Sequence, residues 1–90
     1  MRTTPTSAVE PSPSVAALIR DEWSNFRAMC AEADMKGVAE PPMPTLGSMA
    51  DSLAQMPDEI VLLVTGAEAD DVRAEVSLLV LRHGLDEPLP

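Results

Sequence analysis

A regular apolar stripe runs through the first part of the chain after residue 12. Apolar side chains recur there every three or four residues: Val15, Ile19, Trp23, Phe26, Cys30 and Ala33. This spacing places them on one face of an α-helix. Ser12 followed by Pro13 is typical of a helix start, and Gly37 is typical of a helix end. The pattern therefore predicts a helix over residues 13–36.

Two shorter apolar segments follow the proline-rich stretch 41–44. Thr45 can cap a second helix, whose apolar positions are Leu46, Met49, Leu53 and Met56. Pro57 ends that helix and opens a third one, with acidic residues in its first turn. Residues 60–64, Ile-Val-Leu-Leu-Val, fit either a helix or a buried strand. We predict a helix because no second strand-like run exists to pair with them; an α+β fold would need a strand from another chain.

The last predicted helix, which ends at His83, is apolar on two sides. One face carries Val72, Val76, Leu79 and Val80, and a nearly opposite face carries Ala74, Leu78, Leu81 and Leu85. Such a helix is either central to its domain or shared with another chain. The overall prediction is a small all-α bundle of three to four helices over residues 12–85. A flexible N-terminal tail over residues 1–11 and a C-terminal tail over residues 86–90 flank this single domain.

The charge of the chain is strongly unbalanced. Fifteen acids face six bases, which gives a formal net charge of −9, and residues 37–72 contain seven acids and no Lys or Arg. Direct binding to nucleic acid or to an anionic membrane requires clustered cations, so we expect neither. Either the acids keep the protein soluble, or they dock on a basic protein surface. The candidate partner-binding residues are Ala74, Leu78, Leu81 and Leu85, together with Asp58, Glu59, Asp70 and Asp71.

No set of residues has the pattern of an active site. Cys30 lies on the apolar stripe and His83 in a last helical turn, and no third group is placed to orient them. One Cys and one His cannot form a zinc site. Neighbouring acids such as Asp21-Glu22 diverge by about 100° on a helix and are predicted to be solvated faces. We therefore expect no catalytic residue, no metal and no cofactor. A single cysteine also favours a reducing, cytoplasmic location.

One tripeptide resembles a known attachment motif. Asp51-Ser52-Leu53 is similar to the phosphopantetheine attachment motif of acyl and peptidyl carrier proteins, which are also small, acidic and helical. In that family the modified serine lies at the start of the second helix. Leu46-Gly47 precedes the motif here with three residues intervening, and Pro57 interrupts the following helix. The resemblance covers about a dozen residues and implies Ser52 as an attachment site.

These patterns together favour a protein that binds rather than one that catalyses. We expect a small acidic interaction module, either an adaptor or an inhibitor, which docks on a basic protein partner. A specific version is an antagonist of nucleic-acid-binding machinery, whose cationic groove would attract such a protein. A carrier-like protein modified on Ser52 and a structural homodimer subunit are the alternatives.

Overall fold

The computed structural model describes residues 9–90, and within this range it contains four α-helices. They are α1 (Pro13–Lys36), α2 (Leu46–Gln55), α3 (Asp58–Thr65) and α4 (Ala69–His83). No strand occurs among these residues, apart from a single bridge between Thr45 and Pro88. The all-α prediction is therefore confirmed, and residues 60–64 are helical. Most of the predicted N-terminal tail, residues 1–8, lies outside the described residues.

Local capping groups determine where the helices begin and end. The Ser12 hydroxyl accepts a hydrogen bond from the Val15 N–H of α1 at 3.4 Å. At the other end of α1, Gly37 has φ +69°, in the left-handed region that glycine adopts without strain. Thr45 and Ser48 form a capping box at the start of α2. The sequence indicated Ser12, Gly37 and Thr45 as capping residues, but it did not indicate the contribution of Ser48 to the capping box.

All four helices contribute to one hydrophobic core. Its fully buried side chains include Val15 and Leu18 of α1, Leu46 and Met49 of α2, Val61 of α3, and Val72 and Val76 of α4. The middle of α1 departs from the predicted stripe, because Trp23, Phe26 and Cys30 are only partly buried. Of these three, Phe26 lines a surface groove, which leaves its side chain partly exposed.

The segment predicted as a C-terminal tail packs on the domain. Residues 84–90, here called the C-terminal strap, run along the start of α2. The N–H groups of Leu46 and Gly47 donate to the carbonyls of Glu87 and Leu85, both at 2.9 Å. Within the strap the Leu89 side chain is 4% exposed. The strap therefore adds a side chain to the core and satisfies backbone donors in the first turn of α2.

The described residues before α1 are also held by the domain. Val9 is 4% exposed and belongs to the same core as Leu89. The main-chain N–H and the hydroxyl of Ser12 both donate to the Glu75 carboxylate of α4, at 2.8 and 2.6 Å. The start of α1 is thus fixed to the middle of α4 by charge-assisted hydrogen bonds.

Candidate partner-binding surface

The outer face of α4 carries a row of exposed leucines. Leu78 is 60% exposed, Leu81 83% and Leu85 57%, and Ala74 is exposed as well. The first three positions of the row, 74, 78 and 81, lie within about 60° of one another around the helix. Leu85 follows α4, in the strap, where its carbonyl accepts the Gly47 N–H at 2.9 Å. We call Ala74, Leu78, Leu81 and Leu85 the leucine ridge; its side chains are mostly open to solvent, although the Leu85 side chain lies close to Gly47 of α2.

The first turns of α3 and α4 bring several acids together. Asp58, Glu59 and Asp70 line one surface cavity of about 240 Å³. Glu68 lines the same cavity, beside the apolar side chains of Leu62 and Ala69. We call Asp58, Glu59, Glu68 and Asp70 the acidic cluster. Asp71 is exposed but does not line this cavity.

Most of the charge of the acidic cluster is not neutralised by the described residues. Arg73 Nη1 lies 2.7 Å from Asp58 Oδ1, and Arg73 Nη2 donates to the Met56 carbonyl at 2.8 Å. The other ion pair found among residues 9–90 joins Lys36 to Glu32, both on α1. Only Asp58 in the cluster is therefore paired with a cation. The remaining carboxylates create a negative potential at this end of the molecule.

The acidic cluster and the leucine ridge form one continuous surface. Asp70 belongs to the cluster and lies one helical turn before Ala74, the first residue of the ridge. Along α4 the distance from Asp70 to Leu81 is about 16 Å at 1.5 Å per residue. The acidic cluster therefore adjoins the first residue of the leucine ridge on α4, and Leu78 and Leu81 follow along the same helix.

Sequence reasoning missed part of this surface. Glu68, the N-cap residue of α4, was not assigned, although it adjoins the predicted Asp70. On α3, Leu62 lines the cavity of the acidic cluster and is 47% exposed, whereas Val61 is fully buried. The run of five apolar residues, 60–64, indicates that α3 has exposed apolar side chains, because five consecutive positions on a helix face more than one side.

A second concave feature, the α1–α2 groove, lies between these two helices and the proline-rich connection. Its volume is about 290 Å³, and it is lined by Glu22, Asn25, Phe26, Met29, Pro41, Pro42, Pro44, Ser48 and Ser52. Burial raises the pKa of Glu22; the negative charge of Asp21 acts in the same direction, and a hydrogen bond from Ser52 opposes it. The sequence predicted that Glu22 belongs to a solvated face, whereas the structure partly buries its carboxyl group.

The position of Ser52 departs from the carrier-protein pattern. In that family the modified serine is at the start of the second helix, whereas α2 begins at Leu46 and Ser52 is its seventh residue. The hydroxyl is partly buried in the α1–α2 groove beside Glu22. This geometry does not reproduce the helix-start location that the resemblance implies.

The residues with the most reactive side chains lie in separate places. Cys30 is partly buried on α1, where burial and the negative charge of Glu40 both raise the pKa of its thiol. The thiolate that a nucleophile requires is therefore disfavoured. His83 lies in the last turn of α4. No group of three or more His, Cys, Asp or Glu side chains arranged to hold a metal ion occurs in residues 9–90.

None of the helices between residues 9 and 90 is long and apolar enough to cross a membrane. No family model matches the chain, and comparison with curated proteins and with solved structures gives no significant match.

Proposed function

We propose that this protein is a small acidic protein-interaction module, an adaptor or an inhibitor that docks on a basic protein partner. The leucine ridge is the observation that carries this proposal. It places two exposed leucines, Leu78 and Leu81, on the outer face of α4, whose opposite face is in the core, and adds Leu85 just after the helix. Contiguous exposed apolar side chains bordered by charge are typical of protein-binding surfaces.

The energy available from the leucine ridge indicates how much more surface the partner must cover. Complete burial of one leucine contributes about 1.5–3 kcal/mol. With Leu78, Leu81 and Leu85 at 60%, 83% and 57% exposure, covering all three contributes about 3–6 kcal/mol. Association costs about 4–15 kcal/mol in lost freedom of motion. The ridge alone is therefore insufficient, and the partner must also contact neighbouring side chains.

The acidic cluster selects the class of partner. Its unpaired carboxylates repel nucleic acid and anionic lipid, and they attract a cationic protein surface. Complementary charge mainly increases the association rate and excludes wrong partners. A protein that binds nucleic acid carries such a cationic surface, so the specific form of this proposal is an antagonist of nucleic-acid-binding machinery. The proposed setting is the cytoplasm, which is consistent with the unpaired Cys30.

A basic partner is favoured over a second copy of the same chain. Each copy carries a formal charge of −9, so two copies repel each other at long range. Asp70 and Asp71 lie at one end of the leucine ridge, where a second copy would also have to approach. A cationic protein gains from the same charges. Self-association is therefore an outcome for the experiment to exclude.

Paired glutamine variants test the role of the ridge. Leu81→Gln removes the most exposed ridge side chain, and Met35→Gln alters a side chain on α1 that is 87% exposed. Both changes are neutral, so they leave the electrostatic attraction unchanged. Tagged wild-type and variant proteins would capture partners from the cells in which the chain is naturally made. Quantitative mass spectrometry at low and moderate ionic strength would follow the bound proteins.

We expect a basic protein that binds the wild type and Met35→Gln but is lost with Leu81→Gln. A hot-spot leucine corresponds to about 2 kcal/mol, or about a 30-fold weaker complex, measurable by calorimetry with the purified partner. Its affinity should fall as salt increases. Equal capture by both variants, an acidic partner, or no response to salt would contradict the proposal. A dimer in sedimentation that Leu81→Gln alone dissociates would instead identify a second copy as the partner.

A further inference from the structure

The α1–α2 groove has apolar walls that are held in place. Phe26 packs edge-on against Trp23, with ring centroids 5.6 Å apart and planes at 86°. The Trp23 indole N–H in turn donates to the main-chain oxygen of Pro90 in the C-terminal strap, at 2.9 Å. Three further lining residues are prolines, which restrict backbone motion. The groove is therefore largely formed before anything binds.

The size of the groove suits one long side chain. Its volume of about 290 Å³ is at the lower end of the range for ligand pockets, which begins near 300 Å³. Pockets in this range bury most of a small ligand against apolar walls, and a few polar groups fix its orientation. Here the polar groups are Glu22, Asn25, Ser48 and Ser52.

Glu22 gives the groove its charge preference. It is the only acidic or basic residue that lines this cavity. Partial burial removes water from the Glu22 carboxylate, and no ion pair involving it occurs in the described residues. An entering cation would supply the missing stabilisation, whereas an anion would be repelled by Glu22 and by the overall charge of −9.

We propose that the α1–α2 groove binds a lysine side chain of a partner polypeptide. The ammonium group contacts Glu22, and the four-carbon stem lies against Phe26 and Met29. An ammonium group has three donors, which match one carboxylate and neighbouring hydroxyl or amide oxygens. Arginine fits less well, because its wide planar guanidinium needs room for a two-oxygen contact, whereas the ammonium group of lysine is a compact charge. This site is separate from the leucine ridge and goes beyond the function proposed above.

Three capped peptides test the proposal directly. They have the sequence Ala-X-Ala, where X is lysine, norleucine or arginine; norleucine keeps the apolar stem and lacks the charge. Each would be titrated into the whole protein at neutral pH and constant ionic strength. Carbon-13 NMR would follow the Met29 methyl group and the Glu22 carboxyl group. We expect saturable shifts at both sites with the lysine peptide and at least tenfold weaker binding of norleucine.

Matched variants distinguish the effect of the Glu22 carboxylate on peptide binding from the effect of the overall negative charge. Glu22→Gln should weaken binding of the lysine peptide at least tenfold and leave norleucine binding unchanged. Asp34→Asn removes the same charge from an exposed position on the same helix and should have little effect. Met29→Ala shortens a wall side chain that is 51% exposed, so the fold should tolerate it. This variant should weaken the lysine and norleucine peptides by a similar factor.

Several outcomes would overturn the proposal. Equal losses in Glu22→Gln and Asp34→Asn would show that only the net charge attracts the peptide. Equal binding of the lysine and norleucine peptides would show an apolar groove without charge selection. Tighter binding of the arginine peptide, or no saturable shift with lysine, would also contradict the assignment. Leu81→Gln changes the leucine ridge and not the groove, so it should bind the lysine peptide like the wild type. The ridge proposal and the groove proposal can therefore fail independently.

Discussion

Replacing Leu89 by alanine should lower the free energy of unfolding by about 2–3 kcal/mol. Leu89 is 4% exposed, and the substitution removes three carbon atoms from the core. At about 0.8 kcal/mol per buried carbon, the lost transfer energy is about 2.4 kcal/mol. A residual cavity would add to this cost, but the strap can relax around it and keep the total low in the usual range of about 2–5 kcal/mol. A domain of this size has roughly 5–13 kcal/mol of stability, so the loss is large.

Urea denaturation followed by circular dichroism would measure this loss. Trp23 fluorescence offers a second probe, because its indole N–H donates to the Pro90 main-chain oxygen in the strap. Leu81→Ala is the matched control: it removes the same three carbons from a side chain that is 83% exposed, and it should cost less than about 0.5 kcal/mol. If Leu89→Ala and Leu81→Ala unfold at the same urea concentration, the C-terminal strap is not part of the core.

Three further predictions concern single side chains. Burial raises the pKa of Glu22 above its ordinary value of 4.5, so the folded state binds this proton more tightly than the unfolded chain and stability decreases as pH rises. Glu22→Gln should therefore raise the melting temperature at pH 7, and calorimetry should show this gain disappearing below the ordinary pKa. Ser12→Ala should cost about 1–2 kcal/mol in chemical denaturation, because it removes the α1 cap and the 2.6 Å bond to Glu75. Gly47→Ala should lower the melting temperature although alanine favours helix by about 1 kcal/mol, because a Cβ there would lie 2.9 Å from the Leu85 carbonyl oxygen.

The helices were predictable because their signals are local. The bounds of α1 follow from the apolar stripe together with Ser12 and Gly37, and the structure places both residues at the helix caps. The assignment of residues 60–64 to a helix depended on the absence of a pairing strand, and α3 confirms it. For α1 the deciding residues lie within the helix or next to it, whereas the assignment of residues 60–64 also required the rest of the chain to be searched for a pairing strand.

The grouping of acidic side chains around one cavity was harder to predict from the sequence. Asp58 and Asp70 are twelve positions apart, and only the packing of α3 against α4 places both on one cavity. Sequence reasoning identified them individually, because acids are favoured in first helical turns. Glu68 lies only two positions before Asp70, but its place on the cavity depends on the turn between the two helices, which no periodic pattern encodes.

The least predictable residues were those whose surroundings depend on distant parts of the chain. Leu89 lies between two prolines and has no apolar period around it, yet it is buried. Glu22 neighbours Asp21 on a helix, which is typical of a solvated face, yet it is partly buried in the groove that the proline-rich connection also lines. In both cases the covering segment is irregular, so neither helical nor strand periodicity gives a signal.

The hydrogen bonds that fasten α1 have a consequence for how the protein folds. Ser12 contacts Glu75 across 63 positions, and Trp23 contacts Pro90 across 67. Loops of this length slow folding, because their closure entropy is lost before the contacts form. During synthesis Ser12 and Trp23 are made well before Glu75 and Pro90, so these two contacts cannot form in the early nascent chain. We therefore expect folding to be slower than that of helical bundles whose contacts join only neighbouring helices.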